Sequence, residues 1–281
     1  MGRTVRGART AEKGYHPFRR AIGSNLIAVL DAALWGLVQG LTEFLPISSS
    51  GHLVLVPAFL NKEAPGLATT AVLHLGTLAA VLWYFRADVQ WLMRPDRDPR
   101  AWTILKLLAL GTVPAVVAGL LLESTLDEIF DSPSRAGMAL IFTGVVLVAS
   151  GYLGGLVRRL EDAGISDAVV VGTAQAVALV PGVSRSGMTI TASMLRRFTP
   201  EEAARFSFLL AIPVILGGGS KQMLDLAGEG GLEWSLLVGV VVAAVSGYVA
   251  IAVLIRALTR YGLRPFALYC FIVGTIAIIW Y

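Results

Sequence analysis

The sequence predicts an all-α polytopic membrane protein, with about six transmembrane helices and two re-entrant broken-helix hairpins in an inverted repeat. Three observations predict this class. Of the 281 residues, 56% are hydrophobic and 15% are charged, whereas soluble domains average about 25% charged residues. Apolar runs of membrane-spanning length recur along the chain. Two further apolar runs are each broken by a segment rich in proline, glycine and serine.

The first apolar segment, 26–60, follows a basic tail at residues 1–24 and contains the break 46–51. The tail lacks a convincing signal-peptide cleavage site. The piece after the break has about 12 residues and reaches only about 18 Å, too short for a hydrocarbon core of about 30 Å. Because irregular backbone at membrane depth needs protein or water around it, this segment is predicted to enter the membrane, break and return.

Six uninterrupted apolar runs follow from residue 67 onward, separated by charged stretches. They are 67–85, 101–122, 135–157, 203–219, 234–254 and 264–281. A second interrupted segment, 168–195, lies between the third and fourth runs and is broken at 181–187. Lipid offers no hydrogen-bonding partner to the backbone, so every span is predicted to be helical.

The two interrupted segments resemble each other. Gln39 to Gly51 and Gln175 to Gly187 each run from glutamine to glycine over the same length, at an offset of 136 residues. The sequence therefore predicts a single membrane domain, 25–281, with one repeat at about 25–157 and a second at about 166–281. Three crossings per repeat invert the second copy, and paired breaks of this kind indicate a binding site near the membrane midplane.

The distribution of arginine predicts the orientation. Loops 86–100 and 256–264 carry four and three arginines and are predicted to be cytoplasmic, whereas the acidic loop 123–131 and loop 221–233 are predicted to be external. The first hairpin then lies outside, which conflicts with the basic tail. The net charge of +4 implies no nucleic-acid partner.

The first break concentrates chemistry within a few residues. Gln39 and Glu43 lie four apart on one helix face, and Ser48, Ser49 and Ser50 follow Pro46 where N-cap residues begin the next helix. A helix N-terminus suits a phosphate group. His52 follows within the first turn. An ionisable glutamate at membrane depth indicates function.

The second break supplies the complement. Ser184 and Ser186 flank Arg185, whose planar guanidinium matches phosphate oxygens, and Thr189 lies one turn further on. Facing repeats would thus form an anion site with a base beside it. Outside the breaks, His74 is interpreted as structural and Asp31 as interfacial or capping. The glycines Gly76, Gly144 and those at 217–219 are interpreted as sites of close helix packing.

The segments QGLTEFLPISSSGH, from Gln39, and PGVSRSGMT, from Pro181, resemble the two signature segments of the bacterial undecaprenyl-diphosphate phosphatases, the bacitracin-resistance family. The resemblance extends over residues 25–281. It implies removal of the terminal phosphate of undecaprenyl diphosphate in the bacterial plasma membrane, at a site open to the extracytoplasmic side. The product, undecaprenyl phosphate, carries cell-wall building blocks.

The resemblance also implies the site residues. The catalytic residues are expected to be Glu43, Ser49, His52 and Arg185; the phosphate-binding residues are expected to be Gln39, Ser48, Ser50, Ser184, Ser186 and Thr189. The family's first acidic position is Gln39 here, so Glu43 is the only carboxylate in that motif. Ser49 or a water is expected to attack phosphorus, with His52 or Glu43 as base. Mg²⁺ or Ca²⁺ on Glu43 and the phosphates is expected, without an organic cofactor.

The expected partners are the polyprenyl diphosphate lipid and membrane lipids, and a homodimer is left open. Two other functions are compatible with part of these motifs. Acid-phosphatase-like lipid phosphatases share Ser-Gly-His and Ser-Arg segments, but their nucleophilic histidine has no counterpart, because no histidine follows His74. A lipid flippase or transporter would use the same anion site and architecture, and phosphate release in detergent distinguishes it from the enzyme.

Overall fold

A computed structural model describes residues 17–130, 132–228 and 234–281, with side chains described for 26–66, 69–121, 132–218 and 234–281. This part of the chain contains eleven α-helices: α1 (Pro17–Phe44), α2 (Ser49–Leu60), α3 (Leu67–Tyr84), α4 (Arg86–Leu92), α5 (Pro99–Phe130), α6 (Pro133–Ser150), α7 (Ile165–Val177), α8 (Arg185–Leu195), α9 (Pro200–Gly228), α10 (Trp234–Tyr261) and α11 (Arg264–Trp280). The only extended pairing among the described residues is an isolated bridge between Arg158 and Phe198. The all-helical class is confirmed.

Both predicted breaks are present. The first separates α1 from α2, and Ser48 caps α2 by accepting a hydrogen bond from the Gly51 amide. The second separates α7 from α8, where Ser184 caps α8 by accepting from the Gly187 amide. The helices after the breaks have 12 and 11 residues, which at about 1.5 Å per residue is too short to cross a bilayer.

Helix length and apolar composition identify four candidate spans in the described chain: Leu26–Phe44, Pro99–Leu121, Pro133–Ser150 and Trp234–Tyr261. α3 and α4 together form a fifth, bent by 82°. Multi-pass membrane architecture is thus confirmed. The first of these spans, Leu26–Phe44, belongs to the segment 26–60 predicted to be re-entrant. It meets the length criterion because α1 is a single long helix up to the break.

Two of the six predicted spans fall short of these criteria for physical reasons. α9 begins with Glu201, Glu202 and Arg205, which leaves a shorter apolar part in its described portion. α11 has 17 residues, about 26 Å of helix. The third predicted span, 135–157, ends at Ser150 because the chain turns at Gly151 and adopts a positive φ of 67° at Gly155.

Some predictions fall on residues that the structure does not describe. Residues 1–16 of the basic tail and residues 131 and 229–233 lie outside the described residues, as do the side chains of the acidic stretch before 131 and of 219–228. The backbone of 123–130, predicted as a loop, continues α5.

The first helix of each half packs against the other half in the same way. Gly36 of α1 lies against the backbone of Gly239 in α10, and Gly172 of α7, at the offset of 136, lies against Gly111 in α5. A Cβ atom at Gly36 or Gly172 would overlap the carbonyl oxygen of the opposing glycine. This close approach fixes α1 and α7, and therefore the ends of both helices at the breaks.

The other glycine predictions divide. Gly76 lies against the Val240 carbonyl, and Gly144 lies against the ring of Phe271, so close packing is confirmed at both. The prediction of close helix packing is wrong for Gly217 and Gly218, where an added Cβ atom would meet nothing within 4 Å. Gly218 instead borders an open cavity.

The connections at one end of the helices are tied together by buried or half-buried ion pairs. Arg205 of α9 donates to Asp88 of α4 at 2.7 Å and to Glu161 of the 160–162 turn at 2.8 Å. Arg158 donates to Asp167 at 2.7 Å. Burial raises the pKa of Asp167, but hydrogen bonds from Arg158 and Arg196 outweigh it and lower that pKa to about 2. The arginine-rich connections 86–100, 151–164 and 196–199 therefore share one face.

Candidate active site

The two breaks meet at the centre of the molecule. The Ser48 hydroxyl donates to the Val183 carbonyl at 3.3 Å, and the Ser186 hydroxyl donates to the Leu45 carbonyl at 3.1 Å. The two donors belong to opposite breaks, so each break satisfies backbone acceptors of the other. The predicted meeting of the two halves is therefore present.

Ser48 carries backbone strain at this junction. Its φ of 69° lies in the left-handed region that a residue with a side chain rarely adopts. Such a conformation costs about 1–3 kcal/mol and persists only where the surroundings enforce it, commonly at functional sites. Here the cap to α2 and the bond to Val183 hold Ser48, which orients the next residue, Ser49, toward Glu43.

A cavity of about 270 Å³ lies beside this junction. Polar side chains line one part of it, and apolar residues from α3, α5, α9 and the second break line the rest. The polar lining residues are Glu43, Ser48, Ser49, Ser50, His74, Gln175, Ser184 and Arg185. A mixed lining of this kind suits a ligand that has a charged head and an apolar body.

Glu43 is the centre of the polar cluster. It is almost fully buried, and one carboxylate oxygen accepts from Arg185 Nη2 at 2.6 Å. The other oxygen accepts from the Ser49 hydroxyl at 2.6 Å and from Gln39 Nε2 at 3.0 Å. The guanidinium compensates the buried carboxylate charge, since an unpaired ion at this depth would be costly.

Arg185 begins α8 directly after the cap residue Ser184. Its Nη2 binds Glu43, whereas Nη1 is buried and has no hydrogen-bonding partner among the described residues. A buried cationic donor without an acceptor is unfavourable. The second arm of the guanidinium is therefore available to an anionic ligand in the cavity.

The predicted phosphate-binding residues separate into two groups. Ser48, Ser50 and Ser184 line the cavity. The others are buried behind it: Gln39 supports Glu43, Ser186 bonds the opposite break, and Thr189 bonds Ser207 of α9 at 2.6 Å. These three residues stabilise the site's walls in this structure.

His52 does not line the cavity. Its Nδ1 lies 2.7 Å from the Ser48 carbonyl oxygen and its Nε2 lies 2.7 Å from the Tyr269 hydroxyl, and its ring stacks on Tyr269. A carbonyl only accepts, so Nδ1 carries the proton, and in the neutral ring Nε2 accepts from Tyr269. In this geometry His52 holds the strained Ser48 backbone rather than facing the ligand space.

Two cavity residues were not predicted as site residues. His74, interpreted as structural, directs Nε2 toward Glu43 Oε2 at 3.7 Å while Nδ1 donates to the Thr70 carbonyl at 2.7 Å. The rule that ionisable groups at membrane depth indicate function applied to His74 as well as to Glu43. Gln175 was visible as the repeat partner of Gln39. Tyr269 had no signal in the sequence.

The arrangement combines a hydroxyl, a base and a cation. Ser49 donates to Glu43, which is paired with Arg185. This combination is suited to activating a nucleophile beside an anion. Within the described residues, no three side chains of His, Cys, Asp or Glu come together as metal ligands.

Comparison with known proteins agrees with this geometry. The family model described as bacitracin resistance protein BacA matches residues 32–276. The chain is 44% identical over 260 residues to an undecaprenyl-diphosphatase of Rubrobacter xylanophilus, covering 88% of this chain and 96% of the relative. It is 42% identical over 254 residues to one from Desulforudis audaxviator, covering 89% and 96%.

A third relative, an undecaprenyl-diphosphatase of Geobacter sulfurreducens, is 41% identical over 257 residues, covering 88% of this chain and 96% of the relative. These names describe hydrolases, so the transport alternative gains no support from them. The matched region includes both breaks and every residue that lines the cavity. The chain belongs to the bacitracin resistance protein BacA family.

Proposed function

We propose that this chain hydrolyses undecaprenyl diphosphate to undecaprenyl phosphate and inorganic phosphate. The family, the names of the relatives and the cationic, hydroxyl-rich cavity support this activity. The product is the lipid carrier for peptidoglycan precursors. Its regeneration, and resistance to bacitracin, follow from the same reaction.

The observation that carries the mechanism is the 2.6 Å hydrogen bond from the Ser49 hydroxyl to Glu43. Ser49 attacks the terminal phosphorus, and Glu43 takes the hydroxyl proton. The bond from phosphorus to the bridging oxygen breaks, and undecaprenyl phosphate leaves. Water then hydrolyses the phosphoserine and releases inorganic phosphate.

Arg185 binds the transferring group in this proposal. Its unpartnered Nη1 donates to a phosphate oxygen, while Nη2 keeps Glu43 in place. The positive N-terminal ends of α2 and α8, which begin at Ser49 and Arg185, add to the field at the anion. His52 positions Ser48 and hence Ser49 from outside the cavity.

A divalent cation remains part of the proposal, carried by the substrate. The donor set does not form a metal site held by protein alone, because Glu43 is the only carboxylate among the described residues of the cavity lining and both of its oxygens already accept hydrogen bonds. Glu43 would hold Mg²⁺ or Ca²⁺ together with the diphosphate oxygens by giving up one of these hydrogen bonds, and the bound cation would neutralise phosphate charge. No step of the mechanism above depends on it.

The proposed location is the bacterial plasma membrane, with the cavity open to the extracytoplasmic side. Gly218, which lines the cavity, lies in the C-terminal half of α9, Ala71 lies near the start of α3, and Ala115 lies at the middle of α5. The start of α3 and this half of α9 are opposite to the arginine-rich face. Homodimer formation remains a prediction.

The test measures phosphate release from undecaprenyl diphosphate by the purified chain in detergent, where no membrane gradient exists. E43Q and S49A are each expected to lower kcat by at least about 100-fold, because one removes the base and the other the nucleophile. S246A is the matched control, since among the described residues the Ser246 hydroxyl bonds only carbonyl groups of its own helix.

Absence of phosphate release by the wild type would contradict the hydrolase, and headgroup translocation in liposomes would then favour the flippase. A folded S49A variant within a few-fold of wild type would exclude Ser49 as nucleophile and favour water. Near-normal activity of E43Q would exclude Glu43 as the base.

A further inference from the structure

Gln175 is a buried polar residue that the mechanism above does not use. It lies in the last turn of α7, only 2% of its surface is exposed, and it lines the cavity. Neither its Nε2 nor its Oε1 atom has a hydrogen-bonding partner among the described residues. An unsatisfied buried amide costs about 1–3 kcal/mol, so such a group implies a ligand for it.

The two repeats differ in the residue that follows each glutamine by four positions. Gln39 occupies the corresponding position in α1 and donates at 3.0 Å to Glu43, four residues later. Four residues after Gln175 the chain has Leu179, which offers no side-chain acceptor and also lines the cavity. The amide that supports a carboxylate in the first repeat therefore lies in the cavity wall in the second, without a partner among the described residues.

The surroundings of Gln175 select an anion. The cavity wall includes several serines and Arg185, whose buried Nη1 has no partner among the described residues, while the charge of Glu43 is compensated by Arg185. A neutral amide donor adds a hydrogen bond to an anion without adding charge. Ser49, Glu43 and Arg185 already surround one reacting phosphoryl group, whereas a diphosphate has two.

We propose that Gln175 is a substrate-binding residue that donates from Nε2 to an oxygen of the diphosphate. This assignment rests on the proposed function for the identity of the ligand. The two glutamines of the repeats thus have different tasks: Gln39 positions the base, and Gln175 contacts the substrate. The hydrogen bond forms to a charged acceptor in a water-poor site, which strengthens it.

The test compares Q175M with the wild type in two measurements. The first is KM and kcat for undecaprenyl diphosphate in detergent, and the second is the increase in Tm caused by saturating inorganic diphosphate. Q175M keeps the length and volume of the side chain but removes both polar atoms. We expect a rise in KM of about 10- to 100-fold, from loss of a hydrogen bond to a charged group, and a smaller ligand-induced rise in Tm.

A purely structural role gives a different pattern. Removing two unsatisfied buried atoms raises or preserves the Tm of the ligand-free protein, so weaker ligand binding in a more stable protein is specific to the proposal. Q175A serves as the second variant if Q175M does not fold. T191V is the matched control: Thr191 Oγ1 is also buried without a partner among the described residues, but Thr191 does not line the cavity.

The outcomes separate the two proposals. Suppose that the wild type releases phosphate and that Q175M keeps the wild-type KM and diphosphate-induced Tm shift. The assignment of Gln175 would then be overturned, whereas the proposed hydrolase activity would stand. A wild type that releases no phosphate would overturn the hydrolase. The Tm shift with inorganic diphosphate would still test whether Gln175 binds the ligand. If T191V weakened ligand binding as much as Q175M does, the assignment of Gln175 would also be overturned.

Discussion

At the scale of single residues, the site depends on one buried charge and its compensation. Glu43 is almost fully buried, and Arg185 from the other half of the chain pairs with it at 2.6 Å. Breaking a buried pair by removing one partner costs about 3–5 kcal/mol, because the remaining charge is left unpaired. Removing Arg185 therefore affects both the stability of the site and binding of an anion.

R185K separates these two roles. A lysine ammonium can keep a charge near Glu43, but it cannot bind the carboxylate and a phosphate oxygen through two fixed arms. We expect R185K to lower kcat/KM by about 100-fold while preserving more thermal stability than R185A, because loss of one preorganised donor costs about 10²–10³ in rate. Phosphate release and Tm in detergent measure the two effects. Equal kcat/KM for R185K and wild type would contradict the two-armed role of Arg185.

Much of the residue-scale site was predictable. Glu43, the serines and Arg185 were identified because charged or capping residues occur inside apolar segments, and such residues are costly unless they have a function. The histidines were not predictable in the same way. His52 lies near Ser49 in sequence but faces Tyr269 of α11, whereas His74 of α3 faces Glu43. Only the packing of distant helices decides which histidine meets the carboxylate.

At the scale of elements, the breaks and the glycines position the site. The short helices α2 and α8 begin directly after the capping serines Ser48 and Ser184, so their N-terminal ends stay where the two breaks meet. Gly36 and Gly172 then allow α1 and α7 to approach the partner helices closely. The ends of α1 and α7 carry Glu43 and Gln175, so packing at the glycines sets the distance across the cavity.

G172A tests this link between packing and site. A Cβ atom at Gly172 would overlap the backbone of Gly111, so α7 must move away from α5. We expect a loss of about 1–3 kcal/mol in stability from overpacking, together with weaker substrate binding. The measurements are Tm by tryptophan fluorescence in detergent and KM.

G217A is the helical control for this change, because an added Cβ atom there meets nothing within 4 Å. We expect G217A to match or exceed wild-type stability, since alanine reduces the conformational freedom of the unfolded chain. Equal Tm values for G172A and G217A would contradict the close approach of α7 and α5.

At the scale of the whole molecule, the distribution of charge predicts the orientation in the membrane. The connections that carry most arginines are tied together on one face by ion pairs of Arg205 and Arg158. The connection 61–66 lies at the start of α3, whereas the arginine-rich connection 86–100 follows the other end of that helix. In the connection 61–66, Lys62 pairs with Asp31 of α1 at 2.7 Å. The expectation that Asp31 is interfacial agrees with this exposed pair. From the positive-inside rule we expect the arginine-rich face to lie in the cytoplasm.

Thiol labelling tests this orientation. Glu63 and Arg97 are exposed on the two connections, and the native Cys270 is buried, so the unsubstituted chain supplies the unlabelled background. In cells stripped of their wall, a membrane-impermeant maleimide is expected to label E63C before lysis and R97C only after lysis. The reverse pattern would place the cavity opening on the cytoplasmic side.

The sequence by itself determined the membrane class, the two breaks, their capping serines and the family. These features follow from composition, from the length of apolar runs and from local chain chemistry, all of which act over a few neighbouring residues. The tertiary structure alone decided that Arg185 meets Glu43, that His52 meets Tyr269 and that Gln175 lies in the cavity wall without a partner among the described residues. Those contacts depend on how helices far apart in the chain approach each other, and the small glycine contacts that control this approach have no local signature.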